Sequence, residues 1–442
     1  MAAPKRIYVE TYGCQMNVAD TELILGLLDR DGYVAAEAPN DADVILVNTC
    51  AIRDNAEQRV YGRVGELKRH KRAGAVLGVV GCMAQRLGAD LLDAVSHIDL
   101  VVGPDGYRGL PELIDRAAGG ERTVDVDFKS WEHYEDVPPV RANQVSAFVT
   151  VQRGCNYRCT FCIVPVTRGS ERSRSLTDVV REVGDLAAKG VTEVTLLGQT
   201  VNSYNDGSHD FADLLRAVGG VDGIRRVRFT SPHPNDFSPR VIDAMVQVPE
   251  VCEHVHLPVQ SGSSQVLKRM LRRYSREAYV ACVHRLREAI PQLAITTDVI
   301  VGFPGETEED FLETDSLVRE VSFDDAFTFK YSVRDGTPAV KIKDHVPDDV
   351  AGARLERIIG TVRGVARAKN AGLVGTTHEV LVEKPARRGA MLQSRTRTNK
   401  VVLIEGSTDL VGTYHRVRLT GTTGSTFTGV PTAAGRELAV LE

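Results

Sequence analysis

Three cysteines are crowded into the stretch Arg153-Gly154-Cys155-Asn156-Tyr157-Arg158-Cys159-Thr160-Phe161-Cys162. Their spacing is C-x3-C-x2-C, and thiolates this close in sequence can wrap one face of an iron–sulfur cube. A 4Fe–4S cluster held wholly by protein takes four cysteines. With no fourth one nearby, one iron is left open to a substrate or cosubstrate. Structural zinc pairs one C-x2-4-C knuckle with a second downstream, and none follows here. A disulfide framework suits short secreted chains rather than one of 442 residues with eight cysteines.

The elements around the motif place it. Ala147 to Val151 reads as a strand, and a helix begins near Ser175 with Leu176 to Ala188 in helical period. The cysteines therefore occupy a loop at a strand's carboxyl end, where open α/β barrels carry their chemistry. Three more cysteines share that slot. Cys14 follows a strand at Arg6–Thr11, Cys50 one at Asp43–Val47, and Cys82 one at Ala75–Val80, with a short fourth strand at Leu100–Val102. Helices at Val18–Asp29 and Glu57–His70 alternate with them, which predicts a parallel, flavodoxin-like sheet. Loops at the carboxyl ends of such a sheet gather at one rim. Cys14, Cys50 and Cys82 would converge there on a second cluster.

GCNYRCTFCIVPVTRG resembles the signature of the radical S-adenosylmethionine (SAM) enzymes, in their methylthiotransferase branch. TYGCQMN, NTCAIRDNAEQR and GCMAQR resemble the three cysteine blocks of that branch's N-terminal domain. The resemblance implies two 4Fe–4S clusters. One, at Cys155, Cys159 and Cys162, would bind SAM through its open iron and split it to a 5′-deoxyadenosyl radical. The auxiliary one, at Cys14, Cys50 and Cys82, would carry the sulfur of the methylthio group.

The composition bounds what else the chain can be. A hydrophobic fraction of 43% and a charged fraction of 26% are ordinary for a globular protein. No run approaches the roughly 18 apolar residues of a membrane helix, and the N-terminus carries no secretory h-region. A cytoplasmic, reduced setting is expected, where cysteines serve metals or catalysis. Net charge is −5, so nucleic-acid binding would rest on local patches. One is Lys68-Arg69-His70-Lys71-Arg72, read as the cationic end of the second helix. Residues 1–120 form the expected first domain, and 121–146, with Pro138-Pro139, a linker.

Residues 147–372 continue as alternating strands and helices. Strands end at Gly198-Gln199-Thr200, Ser231-Pro232-His233, Val259-Gln260-Ser261 and Gly302-Phe303-Pro304-Gly305, and Phe327–Tyr331 is the last. With the cysteine strand they predict an incomplete β/α barrel. Gly198, Gln199, Gly302 and Gly305 resemble family segments beside the SAM adenosine and methionine, and glycine lets a backbone approach a ligand closely. The family more often carries Asn where Thr200 stands. His233, His254 and His256 lack the partner set of a metal site, and Cys252 and Cys282 read as structural. Arg153, Arg158, Arg168, Arg172 and Arg174 would give the cluster loop a basic mouth suited to phosphates. An amphipathic helix over 348–370 leads out of the barrel.

From 374 to 442, short alternating segments at Glu379–Val382, Val401–Ile404 and Tyr414–Leu419 predict a small β-barrel. Between Lys384 and Lys400 stand Lys384, Arg387, Arg388, Arg395, Arg397 and Lys400 with no acidic residue, a candidate RNA platform. The segment resembles the TRAM domain of tRNA methylthiotransferases, with Ser394 in place of the usual glycine. The family resemblance implies 2-methylthiolation of N6-isopentenyladenosine at tRNA position 37. One SAM would give the methyl group and a second the radical. The implied partners are the tRNA anticodon stem-loop and an electron donor such as a flavodoxin or ferredoxin, with the enzyme a monomer. Sister branches act on threonylcarbamoyl-adenosine in tRNA or on a ribosomal-protein aspartate. A non-catalytic iron–sulfur RNA sensor is the alternative from another class.

Overall fold

The computed structural model describes residues 4–51, 54–141, 145–387 and 389–432. The first domain is a parallel sheet of six strands in the order Val34–Ala35, Arg6–Thr11, Val44–Thr49, Val76–Gly81, Leu100–Val102, Thr123–Asp125. The first five follow the flavodoxin-like order, whose switch point lies between the first and third strands of the chain. Cys14 and Cys50 flank that point. Buried Val, Ile and Leu fill Val44–Thr49 and Val76–Gly81 on both faces, as expected for strands covered by helices on either side. Two strands went unread in the sequence. Val34–Ala35 is too short for a periodic signal, and Thr123–Asp125 lies inside the segment assigned to the linker. Much of that segment packs on the first domain: Tyr134 is buried with its hydroxyl on the Pro104 carbonyl (2.9 Å), and Val140 N donates to Glu22 O (3.0 Å). The second helix, Asp54–Leu67, stops short of the basic run 68–72. Lys71 and Arg72 pair there with Asp99 and Asp43.

The central domain holds six parallel strands in chain order, Ser146–Thr150, Glu193–Leu197, Arg226–Phe229, His254–His256, Ala294–Val301 and Asp325–Lys330. A bridge from Val227 to Val251 joins the two halves, so the six form the expected open barrel. Helices Leu176–Ala188, Phe211–Gly219, Pro239–Gln247, Arg276–Ala289 and Glu308–Val321 start alike. Ser175, Asp210, Ser238, Ser275 and Thr307 each accept the N–H three residues on, worth about 1 kcal/mol apiece.

The C-terminal domain is a closed barrel of Thr377–Pro385, Met391–Thr396, Val401–Glu405, Thr426–Pro431 and Tyr414–Thr422. Met391–Thr396 and Thr426–Pro431 were not foreseen, because polar residues dominate the first and Gly429 and Pro431 interrupt the second. Ser394 lies inside a strand, its hydroxyl donating to Val402 O (2.8 Å), and the turn falls at Asn399 (φ 65°). This barrel docks on the amino ends of the central strands. The fully buried Arg226 reaches Glu379 (2.8 Å) and the Arg395 carbonyl (2.9 Å), and Arg228 donates to Arg397 O (2.8 Å).

The first domain covers the opposite, carboxyl end, and a buried charge cluster holds it there. Asp20, on helix Gln15–Arg30, takes Arg153 Nη1 at 3.0 Å and Arg168 Nη2 at 2.6 Å, all three side chains being buried. Arg172 grips Asp105 with both terminal nitrogens (2.8 and 2.9 Å). Burial alone would push the Asp20 carboxyl up, but Arg168 and Arg153 outweigh it and hold the group below its ordinary value. Breaking a buried pair leaves an uncompensated charge. Asp20→Asn is therefore expected to cost about 3–5 kcal/mol in chemical denaturation. Because the folded pKa is depressed, the Asp20 contribution is complete above about 3.9, the unfolded value, and fades as pH falls through the folded one. The stability gap between wild type and variant should narrow on acidification; a gap unchanged with pH would contradict the ion-pair origin.

Candidate active site at the domain interface

Cys155 leaves the tiny antiparallel ladder of Gln152–Arg153 with Arg172–Ser173. Gly154 makes that ladder possible, since a Cβ there would stand 2.1 Å from Ser170 O. The rest of the loop is threaded into the barrel: Thr160 N donates to Met270 O (3.0 Å), Ala339 N to Thr160 O (2.8 Å), and Phe161 packs on Val266, Met270 and Phe303. Cys159 is buried, while Cys155 and Cys162 are partly open. Thr200 Oγ1 lies 3.1 Å from Cys155 Sγ, so the residue that departs from the family's Asn still makes a polar contact with the ligand loop. Arg272 Nη1 donates to Cys159 Sγ (3.4 Å), Nη2 to Pro258 O (3.0 Å) and Nε to the Tyr274 hydroxyl (2.9 Å). Its neighbours Leu271 and Arg273 both adopt positive φ (55° and 60°), strain of about 1–3 kcal/mol each. That bend aims the guanidinium at the Cys159 sulfur. Nothing local in the sequence marks Arg272, which meets Cys159 across 113 residues.

Cys14, Cys50 and Cys82 converge as their slots require. Cys14 caps helix Gln15–Arg30 and donates its thiol to Asn17 Oδ1 (3.4 Å). Asn17 Nδ2 donates to Asn48 Oδ1 (3.2 Å) and Thr49 O (3.1 Å), and the Thr49 hydroxyl to Val80 O (2.8 Å). These buried amides and hydroxyls lock the three loops together. The Cys50 Cβ stands 2.6 Å from where a Gly13 Cβ would be. Arg168 Nε donates to Cys82 Sγ (3.2 Å) while its Nη2 holds Asp20. Ile163, next to Cys162, packs against Cys82 and against Ala51, the neighbour of Cys50. The two triads thus face each other across one interface.

Both donor sets fit iron–sulfur ligation: each is three thiols outside any disulfide, one set on a single loop and the other at three neighbouring strand ends, with one buried arginine donating to one sulfur. Among the described residues no three His, Cys, Asp or Glu side chains are drawn tightly enough for a single metal ion; a cube is a larger body and calls for wider spacing. His254 and His256 share the Thr296 hydroxyl (3.2 and 2.9 Å). His233 stacks on Tyr157, ring centroids 3.8 Å apart, and burial, then Arg272 and Arg273, lower its pKa to about 2. It is a neutral rim residue.

The residues expected at SAM divide. Gln199 Oε1 is buried with no hydrogen-bond partner, as a side chain awaiting a ligand would be. Gly198 packs closely on Gln152, whose Oε1 accepts Thr200 N (3.1 Å). Gly302 and Gly305 have positive φ, as a turn requires, and face Ala351 and Arg269. The basic mouth is corrected. Arg153, Arg168, Arg172 and Arg174 are buried on Asp20, Asp105, Asp178 and Glu182; Arg158 is exposed. The basic ribbon is corrected too. Arg395 pairs with Glu383, Arg397 with Glu253 (2.8 Å), and the buried Lys400 with Asp324 (2.9 Å). Lys384 and Arg387 stay exposed, and Arg388 lies outside the described residues.

Residues 149–318 match the model of the Radical SAM superfamily, and residues 6–103 that of Uncharacterized protein family UPF0004. The chain is 46% identical to the tRNA-2-methylthio-N(6)-dimethylallyladenosine synthase of Bacteroides thetaiotaomicron, over 96% of each chain. The chain belongs to that synthase family. The same-named proteins of Carboxydothermus hydrogenoformans and Clostridium novyi are 44% and 43% identical, covering 95% and 96% of this chain and 97% and 96% of their own. The fold superposes on the radical SAM methyltransferase TsrM from Kitasatospora setae at a TM-score of 0.56. That match has 14% identity and covers 76% of this chain and 77% of the other; it speaks for the fold alone. Among the described residues no helix is long and apolar enough to cross a membrane.

The thiols differ in acidity. A hydrogen bond from Cys50, against burial and with help from Arg168, holds the Cys14 pKa below its ordinary value, whereas burial pushes Cys162 up to about 12 and Cys155 upward. The thiolate is the nucleophile. In metal-free protein at pH 7, iodoacetamide should label Cys14 first, with Cys155 and Cys162 reacting only at alkaline pH. Mass spectrometry showing equal rates for the three would contradict this.

Proposed function

We infer that the chain is a radical SAM methylthiotransferase that converts N6-isopentenyladenosine, at position 37 of tRNA, to its 2-methylthio derivative. The observation that carries this is the meeting of the two cysteine triads, through Ile163, Ala51 and Cys82, at one interdomain face. A C2 hydrogen of an aromatic base is unactivated, so its replacement needs a radical source and a sulfur donor side by side. When bound, SAM with the two 4Fe–4S clusters supplies the radical, the sulfur and the methyl group. The chain does the rest. Cys155, Cys159 and Cys162 hold the SAM cluster, and Cys14, Cys50 and Cys82 the auxiliary one. Arg272 and Arg168 set positive charge against one thiolate in each triad. Gln199 offers a buried acceptor to SAM. The Asn17–Asn48–Thr49 network keeps the auxiliary loops in place, and the domain seam keeps water from the reacting atoms. An external one-electron donor such as a flavodoxin or ferredoxin, and action as a monomer, complete the reading. The relatives of 43–46% identity carry the dimethylallyladenosine name, which supports this substrate over threonylcarbamoyl-adenosine, a ribosomal-protein aspartate, or a non-catalytic sensor.

Reconstituted protein should retain about eight irons per chain, falling to about four in Cys14→Ala/Cys50→Ala/Cys82→Ala, by iron and sulfide analysis. Incubated with SAM, reductant and tRNA bearing N6-isopentenyladenosine, the wild type should form the 2-methylthio nucleoside, and both Cys155→Ala and Cys82→Ala should not. SAM cleavage without a modified nucleoside would sink the substrate; absence of cleavage by loaded protein would sink the enzyme.

A further inference from the structure

The seam between the central and C-terminal barrels encloses a cavity of about 580 Å³. It opens at the amino ends of the central strands, away from the cysteines. Thr296 and Phe327 form its inner wall; Arg363 and Arg367 flank it from helix Asp348–Ala371; Asn399 and Ser425 come from the C-terminal barrel. Arg363 and Arg367 stand one helical turn apart on one face, and both are exposed. Among the described residues neither has an ion-pair partner within 4.0 Å. Like charges four residues apart destabilise a helix, so their pairing at a cavity mouth favours an anion there. Asp324 does not answer them, being taken by Lys369 and Lys400 (2.6 and 2.9 Å); Asp325 is the acidic side chain left on the rim.

Two further features point to a nucleotide. Phe327 is 59% exposed, although it lies on the inner face of the last barrel strand with its ring 5.9 Å from that of His256. An aromatic ring left bare beside cations is a stacking platform for a base. Asn370, buried in the cavity wall, donates Nδ2 to Gly424 O (2.7 Å), but its Oδ1 has no partner. Strand Ala294–Val301 leads from this cavity toward the carboxyl end. Thr296, Asp298 and Ile300 project along one side of the strand that ends at the site, paired in register with Asp325, Phe327 and Phe329. From Thr296 to the carboxyl rim at Val301 is about 17 Å at ~3.3 Å per residue, the length of the barrel that separates this cavity from the cysteine face.

We propose that this seam docks a single-stranded segment of the RNA substrate, with phosphates on Arg363 and Arg367 and a base against Phe327. The proposal rests on the tRNA reading above and moves the RNA contact from the basic ribbon to a cleft made by two domains. Holoprotein is titrated with a fluorescent anticodon stem-loop RNA, reading anisotropy across a salt series. Arg363→Glu/Arg367→Glu should raise Kd at least tenfold and flatten the log Kd against log salt slope by about 1.4 units, since each of the two phosphate contacts on a single strand contributes about 0.7. Phe327→Ala should weaken binding about tenfold and leave the slope unchanged, as loss of stacking does. Lys384→Glu/Arg387→Glu, at the exposed tip of the ribbon, should have the smaller effect. Tight wild-type binding that is untouched by the double arginine variant, or lost mainly in the ribbon variant, overturns the seam while leaving the tRNA reading intact. No binding by wild type overturns both. Thermal melts matching wild type, with Arg363→Gln/Arg367→Gln as a milder pair, separate lost contact from lost fold.

Discussion

One buried carboxylate sets the relation of the two cysteine triads. Asp20 sits on the helix that Cys14 caps, and it receives Arg153, two residues before Cys155, and Arg168, six after Cys162. Arg168 also donates to Cys82. The same three side chains therefore fix the first domain on the second, orient the loop of one triad and touch a sulfur of the other. A buried ion pair contributes little net stability compared with apolar packing, but breaking it is costly. Its use here is register: the two loops cannot slide past one another without stranding a charge.

The central barrel has a division of labour between its ends. At the carboxyl end the first domain closes over the cysteines, and its buried ion pairs come from residues flanking the motif itself. At the amino end the C-terminal barrel is held by Arg226 and Arg228, which project from strand Arg226–Phe229 and donate to carbonyls of the facing strand and turn. Arginine suits both seams because its five donors can satisfy carboxylate and carbonyl together.

Much of the architecture was legible in the sequence. The flavodoxin-like sheet and the open barrel follow from strand–helix alternation, and the small β-barrel from short segments of alternating polarity. The cysteines stood out because each follows a strand, a local relation. What misled was charge. Arg153, Arg172, Arg397 and Lys400 look like free cations when only near neighbours are read. Their partners Asp20, Asp105, Glu253 and Asp324 lie 133, 67, 144 and 76 residues away. Polar strands such as Met391–Thr396 escaped for the converse reason: closure of the barrel, more than their own side chains, makes them strands.

Arg168 and Arg272 play comparable parts with different compensation. Arg168 approaches Cys82 with Asp20 already bound, so its charge is largely spent on the carboxylate. Among the described residues Arg272 meets Cys159 with the Pro258 carbonyl and the Tyr274 hydroxyl, and no carboxylate, as further acceptors. A buried guanidinium without a carboxylate is costly, and an anionic thiolate relieves that cost. Hydrogen bonds and net charge at the ligating sulfurs are what tune an iron–sulfur centre. The fold thus gives the Cys155–Cys162 loop the less compensated cation of the two.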